Sequence, residues 1–166
     1  MLLIEMIEKL KKDLINEKKH LNFYLSNASQ FVGLHAHEYK EIFIEAAKSE
    51  LEHVVAFQDL IIGLENSNYA LKNDNVLPLA NPKVENFNEP YASYFYTYPD
   101  AERALQAAVR MEEEVVANYI GRQKDAQELA ILDPINGAWI DIFLDSQIQD
   151  SRQDADKMKQ LLRKVD

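Results

Sequence analysis

The sequence contains no cysteine, which removes disulfides, zinc–thiolate sites, iron–sulfur clusters and cysteine nucleophiles together. Glycine and proline are scarce, four and five among 166 residues, so there is little material for the many turns of a β architecture. No run approaches the roughly 20 apolar residues that a membrane-spanning helix needs. Positive charge is also short: 18 basic residues stand against 28 acidic ones, a net charge of −10. Such a balance repels nucleic-acid phosphates and anionic lipid, so neither is expected as a partner, and it favours cations. Acids interrupt the first residues, MLLIEMIEKLKKDL, before any long apolar core can form. They do not read as a signal peptide, and a cytoplasmic protein is expected. With 47% hydrophobic residues, the length suits one domain over residues 1–166.

What is present is helical periodicity. Over residues 3–31 the apolar positions Leu10, Leu14, Leu21, Leu25, Ala28 and Phe31 recur at helical spacing, and Gly33 offers a break. A second helix is expected from about His37, through Phe43, Ala46, Ala47, Val54, Phe57 and Leu60, to about Gly63. The short gap makes the two an antiparallel pair. From Glu65 to about Pro99 Asn, Pro and Tyr dominate and no period survives. That length reads as a crossover along a bundle, which lets the second and third helices run parallel. Asp100 is the expected cap of a third helix carrying Leu105, Ala108, Val109, Val115, Val116 and Tyr119. Asp133-Pro134 opens a fourth, with Trp139, Ile140, Phe143, Leu144, Ile148, Met158, Leu161 and Leu162. The fold expected is all-α: a four-helix bundle, up-down-down-up, with a long crossover between the second and third helices.

Ionisable and polar residues interrupt the apolar stripes. Glu17 lies between Leu14 and Leu21, with Tyr24 following on the same line; Glu50 and His53 lie between Ala46 and Phe57. Glu112 breaks the third stripe, and Gln147 sits between Leu144 and Ile148. Buried without compensation, each carboxylate would cost several kcal/mol or take up a proton, and a bound cation removes that cost. Glu50-x-x-His53 is the most specific element, because side chains at i and i+3 leave one helical face together. Oxygen and nitrogen donors suit Fe, Mn and Zn alike.

The pattern resembles the ferritins, most closely the non-haem bacterial type. The opening Glu5-Met6-Ile7-Glu8-Lys9-Leu10, Glu17 with Tyr24 seven residues on, Glu50-x-x-His53, Val109-Arg110-Met111-Glu112, Asp133-Pro134 and Leu144-Asp145-Ser146-Gln147 all carry the likeness. The resemblance implies a ferritin-like bundle with two metal ions, iron by family habit. One would be held by Glu17, Glu50 and His53, the other by Glu50, Glu112 and Gln147, with Glu50 bridging. It also implies a ferroxidase oxidising Fe(II) with O₂ or peroxide, Tyr24 supplying an electron, and a homodimer or larger homo-oligomer. Three features depart from the family. Ser49, Ser146 and Gln149 stand where acids for a third iron are expected, leaving Asp150; the crossover is longer; and no fifth helix follows, so a 24-subunit storage cage is not expected. No second Glu-x-x-His marks the fourth helix as in rubrerythrins and bacterioferritins, and Leu51 occupies the neighbourhood of the haem-binding Met, so haem is not expected. Two alternatives stay open: a bundle with a degenerate metal site serving as a metal-binding or interaction module, and an oxygenase on an organic substrate. His20, three residues after Glu17, reads as a surface residue beside Lys18 and Lys19, with an additional metal ligand as the alternative, and His35 and His37 read as loop and cap residues, with a minor metal site as the alternative.

Overall fold

The computed structural model describes residues 1–67, 97–98 and 100–165. The expected crossover therefore lies almost wholly outside the described residues. Among the described residues four helices are seen: α1 (Leu3–Ala28), α2 (Ala36–Glu65), α3 (Ala101–Leu129) and α4 (Pro134–Val165). Among the described residues none is long and apolar enough to cross a membrane.

Local chemistry sets the helix ends. The Glu5 carboxylate accepts the Leu2 backbone N–H at 2.8 Å, satisfying a donor that α1 itself cannot. Asp100 caps α3 by accepting the Arg103 N–H at 2.8 Å. At α4, Asp133 accepts the Asn136 N–H at 3.3 Å and its side-chain amide at 2.6 Å, just ahead of Pro134. The first helix stops at Ala28, short of the expected Phe31, and the chain turns through Gly33 with φ +102°, a left-handed conformation that glycine adopts without penalty. His35 stands at the cap position of α2, but its side chain makes no capping hydrogen bond.

The second helix does not stop at Gly63. It runs on to Glu65, and Gly63 instead forms a notch: a Cβ there would come within 2.6 Å of the Trp139 ring. Gly137 is held more tightly, since its Cβ would lie 2.7 Å from Ala130 Cα and 2.8 Å from the Ala126 carbonyl oxygen. Backbone cannot swing aside as an exposed indole can. Gly137→Ala should therefore destabilise the bundle by about 1–3 kcal/mol, and Gly63→Ala by clearly less, in chemical denaturation. Equal effects would mean that the α3–α4 turn is looser than this packing.

Cross-helix partners fix the topology. Between α1 and α3 they run Met1–Glu128, Asp13–Arg122, Glu17–Tyr119 and Tyr24–Glu112, one number rising as the other falls, so these helices are antiparallel. The same holds for α2 and α4, through Ser49–Asp154, His53–Asp150 and Gly63–Trp139. With the α1–α2 and α3–α4 hairpins also packed together, α2 and α3 are parallel, the up-down-down-up arrangement.

The buried apolar residues form two clusters, one above the other along the bundle. One takes Leu3 to Leu14, Val54 to Leu64, Val115 to Leu129, and Ile140 with Leu144. The other takes Phe23 to Ala28, Tyr39 to Ala47, Ala104 to Val109, and Met158 with Leu161. Helical periodicity places most of these correctly, but Leu25 and Trp139 are 47% and 44% exposed and belong to neither.

Candidate metal centre

On every helix, the break between the two apolar clusters is filled by a polar residue. Glu17 falls between Leu14 and Phe23, Glu50 and His53 between Ala47 and Val54, Glu112 between Val109 and Val115, and Gln147 between Leu144 and Met158. Antiparallel packing brings the breaks to one level, and the side chains there are almost sealed: Glu17, Glu50 and Glu112 are 1% exposed, His53 3% and Gln147 5%. Ligand atoms of Glu17, Glu50 and His53 lie within 4.8 Å of one another. His53 Nδ1 is 3.5 Å from both Glu17 Oε2 and Glu50 Oε2, and its Nε2 faces Asp150 Oδ2 at 3.4 Å, a contact that fixes the ring.

Two tyrosines hold the outer carboxylates. The Tyr24 hydroxyl donates to Glu112 Oε1 at 2.6 Å, and the Tyr119 hydroxyl donates to Glu17 Oε1. These bonds are reciprocal. Glu17 precedes Tyr24 by seven residues on α1, as Glu112 precedes Tyr119 on α3, and because the helices run oppositely each tyrosine meets the other helix's glutamate. Tyr119, read from sequence as an apolar core residue, thus belongs to the site's surroundings; the repeated seven-residue spacing was the signal for it.

Each tyrosine occupies one carboxylate oxygen and leaves the other unused. Glu17 Oε2, Glu50 Oε2, His53 Nδ1, Glu112 Oε2 and Gln147 Oε1 are all buried without a hydrogen-bond partner. Buried polar atoms are normally paired, so five such atoms at one level call for an occupant, and oxygens with an imidazole nitrogen form a donor set for a transition-metal cation. The residues present fit a metal.

The electrostatics agree. Burial drives the Glu50 carboxyl well above its ordinary value of 4.5, and the charge of Glu17 drives it further. Burial also pushes Glu112 up to about 7, against the pull of the Tyr24 hydrogen bond. Burial opposes ionisation of Glu17 too, but its contacts with Glu50 and His53 prevail and bring it to about 2. Burial lowers His53, yet Glu17 and Asp150 outweigh it and raise the imidazole to about 9. Without metal, protons therefore neutralise the cluster. Stability from Glu112 is complete below pH about 4.5 and is lost as pH rises through 7; that from His53 is complete below about 6.5 and is lost through 9. Glu17 acts oppositely, its contribution present above 4.5 and lost only toward 2. Melting of chelator-treated protein should thus fall by several degrees from pH 5.5 to 8.5, while metal affinity rises over the same range as metal displaces the protons. An apo protein more stable at pH 8.5 than at 5.5 would contradict this charge arrangement.

Other sequence expectations fare differently. Ser49 donates to Asp154 at 3.2 Å, so α4 supplies two acids, Asp150 and Asp154, beside the site; Ser146 and Gln149 are exposed. His37 is exposed and pairs with Glu41 at 3.0 Å, and His35 is exposed. His20 is not a surface residue. It is half-buried, with Nδ1 enclosed and unpartnered, because α3 packs over that face of α1.

No protein-family model matches this sequence, and no curated protein matches it. A solved structure does: a ferritin-like, diiron-carboxylate protein from Bacillus anthracis str. Ames superposes with a TM-score of 0.68, covering 96% of each chain at 22% identity. At that identity the likeness speaks for architecture, and with the helix order and directions above it establishes that the chain has the ferritin-like four-helix-bundle fold.

Proposed function

We propose that the chain is a di-iron ferroxidase-type protein, with Fe(II) as substrate and O₂ or peroxide as electron acceptor. The five unpartnered donor atoms at the break between the apolar clusters carry this reading. Glu17 and His53 serve one ion, Glu112 and Gln147 the other, and Glu50, which interacts with both Glu17 and Glu112, lies between them. A pair of iron ions held there would supply the Fe(II)/Fe(III) redox chemistry that the ligating side chains themselves cannot. The likeness to a structure described as diiron-carboxylate supports the same choice of metal.

The protein's own groups do the rest. Apolar clusters on both sides keep bulk water from the carboxylates, which strengthens their hold on a cation. Tyr119 and Tyr24 fix the rotation of Glu17 and Glu112, so that each offers a single oxygen inward. Tyr24 is also the oxidisable group we assign to electron supply: as its electron leaves toward O₂ or peroxide, its hydroxyl proton passes to Glu112 Oε1, which already accepts it. We further propose a homodimer or larger homo-oligomer.

Gln147→Ala should weaken the second ion about tenfold and leave the first unchanged in a titration that resolves two binding steps; equal loss of both would mean α4 is assigned wrongly. For the function itself, stopped-flow mixing of Fe(II)-loaded protein with O₂ is the test. Oxidation far faster than in buffer, with a transient visible absorbance, is expected, and oxidation at the buffer rate would overturn it. One observation favours a second reading. The tight three-donor group contains Glu17, Glu50 and His53 but not Glu112, which suits a module that holds one metal and performs no oxidation.

A further inference from the structure

The metal centre leaves His20 unexplained. It lines a cavity of about 260 Å³ between α1 and α3, with Asn16, Glu114, Asn118, Met111 and Tyr119. Its Nδ1 is enclosed, shut off from the cavity and without a hydrogen-bond partner, so Nε2 is the ring nitrogen left to meet a ligand. Burial keeps the imidazole below its ordinary value, so it is a neutral lone-pair donor near pH 7, although the charges of Glu17 and Glu114 both pull it the other way. The Asn118 amide nitrogen is committed to Asp13 at 3.0 Å, which leaves the amide oxygen as its free donor atom. The lining holds neither lysine nor arginine.

These walls suit one class of occupant. The volume lies below the roughly 300–1,000 Å³ usual for organic-ligand sites. An imidazole nitrogen, a carboxylate and amide oxygens repel anions and attract a first-row divalent cation, as does the net charge of −10. The cavity also adjoins the buried centre: Tyr119 forms part of its wall and donates to Glu17, and His20 stands one turn along α1 from Glu17. Donors that are 1–5% exposed receive a cation only after it has shed its water, and a partly liganding vestibule eases that step.

We propose that the cavity is a staging site, holding a hydrated divalent transition-metal cation against His20, Glu114 and the asparagine oxygens before it passes to Glu17. This rests on the metal-binding reading of the central site. Co(II) is the probe, with visible absorption and equilibrium dialysis on the full chain. Glu50→Ala, which disables the central site, should still bind one Co(II), and adding His20→Ala should weaken that ion at least about tenfold, since even residues that only orient a ligand cost that much. His20→Ala alone should leave the central complement intact and slow its loading about tenfold. If a doubly substituted chain loses its helical circular dichroism, His20→Gln replaces His20→Ala. No Co(II) on Glu50→Ala, a bound ion indifferent to His20, or unchanged loading would each overturn the staging site. A His20-dependent ion present equally in the wild-type and Glu50→Ala proteins, with none at the centre, would overturn the central reading and leave this cation site standing.

Discussion

Glu50→Ala should abolish the stabilisation of this protein by iron. Glu50 faces both Glu17 and Glu112, so its loss removes a donor from each half of the centre. A ligand at a thousand times its dissociation constant stabilises the folded state by about 4 kcal/mol. For a chain of this size each kcal/mol moves the midpoint by about 2–4 °C, so metal should raise wild-type melting by about 8–16 °C and that of the variant by almost nothing. Without metal the order changes. Glu50 is then a buried, protonated acid in contact with Glu17 and Glu112, and its removal costs those contacts and the space it fills. A folded variant whose melting barely responds to metal places the effect in ligation; a variant stabilised by metal as fully as wild type removes Glu50 from the centre.

Asp13→Ala should be the most damaging substitution outside the centre. Asp13 is 1% exposed and accepts two hydrogen bonds from Arg122, from Nε at 2.8 Å and Nη2 at 2.9 Å, and one from the Asn118 amide at 3.0 Å. Removing one partner of a buried pair typically costs about 3–5 kcal/mol, because the other charge is stranded. Here Arg122 keeps Asp125 at 2.9 Å and some water, so a loss of about 2–4 kcal/mol is expected in denaturant unfolding. The pair also spans α1 and α3 one turn from Glu17, so the variant should bind metal more weakly even where it stays folded. A change below about 1 kcal/mol would show that α1 and α3 are held by apolar packing alone.

The helices were legible because apolar residues recur at helical spacing and because Asp100 and Asp133-Pro134 mark starts. Their ends were less so: whether α1 stops at Ala28 or Phe31 depends on how the Gly33 turn packs, which periodicity does not encode. The inward direction of Glu17, Glu50, His53, Glu112 and Gln147 could be read from their interruption of apolar stripes. What escaped depends on the neighbouring helix. Nothing in the sequence singles out Asp13, whose role comes from Arg122 of α3 lying over it. His20 beside two lysines reads as surface until α3 covers its ring. Tyr119 looks like any core aromatic, and its bond to Glu17 follows only from the antiparallel register of α1 and α3. Gly63 lies two residues inside the end of α2 and also makes room for Trp139, since a glycine within a helix marks a close approach as readily as an end.

The central claim is that five side chains on four helices hold two ions. Anaerobic titration of metal-free protein with Fe(II), read by equilibrium dialysis, addresses it directly. Two tightly held Fe(II) per chain in the wild type, both lost in Glu50→Ala so that at most the ion at His20 remains, is the result this account predicts; no high-affinity Fe(II), or the same number in both proteins, would contradict it.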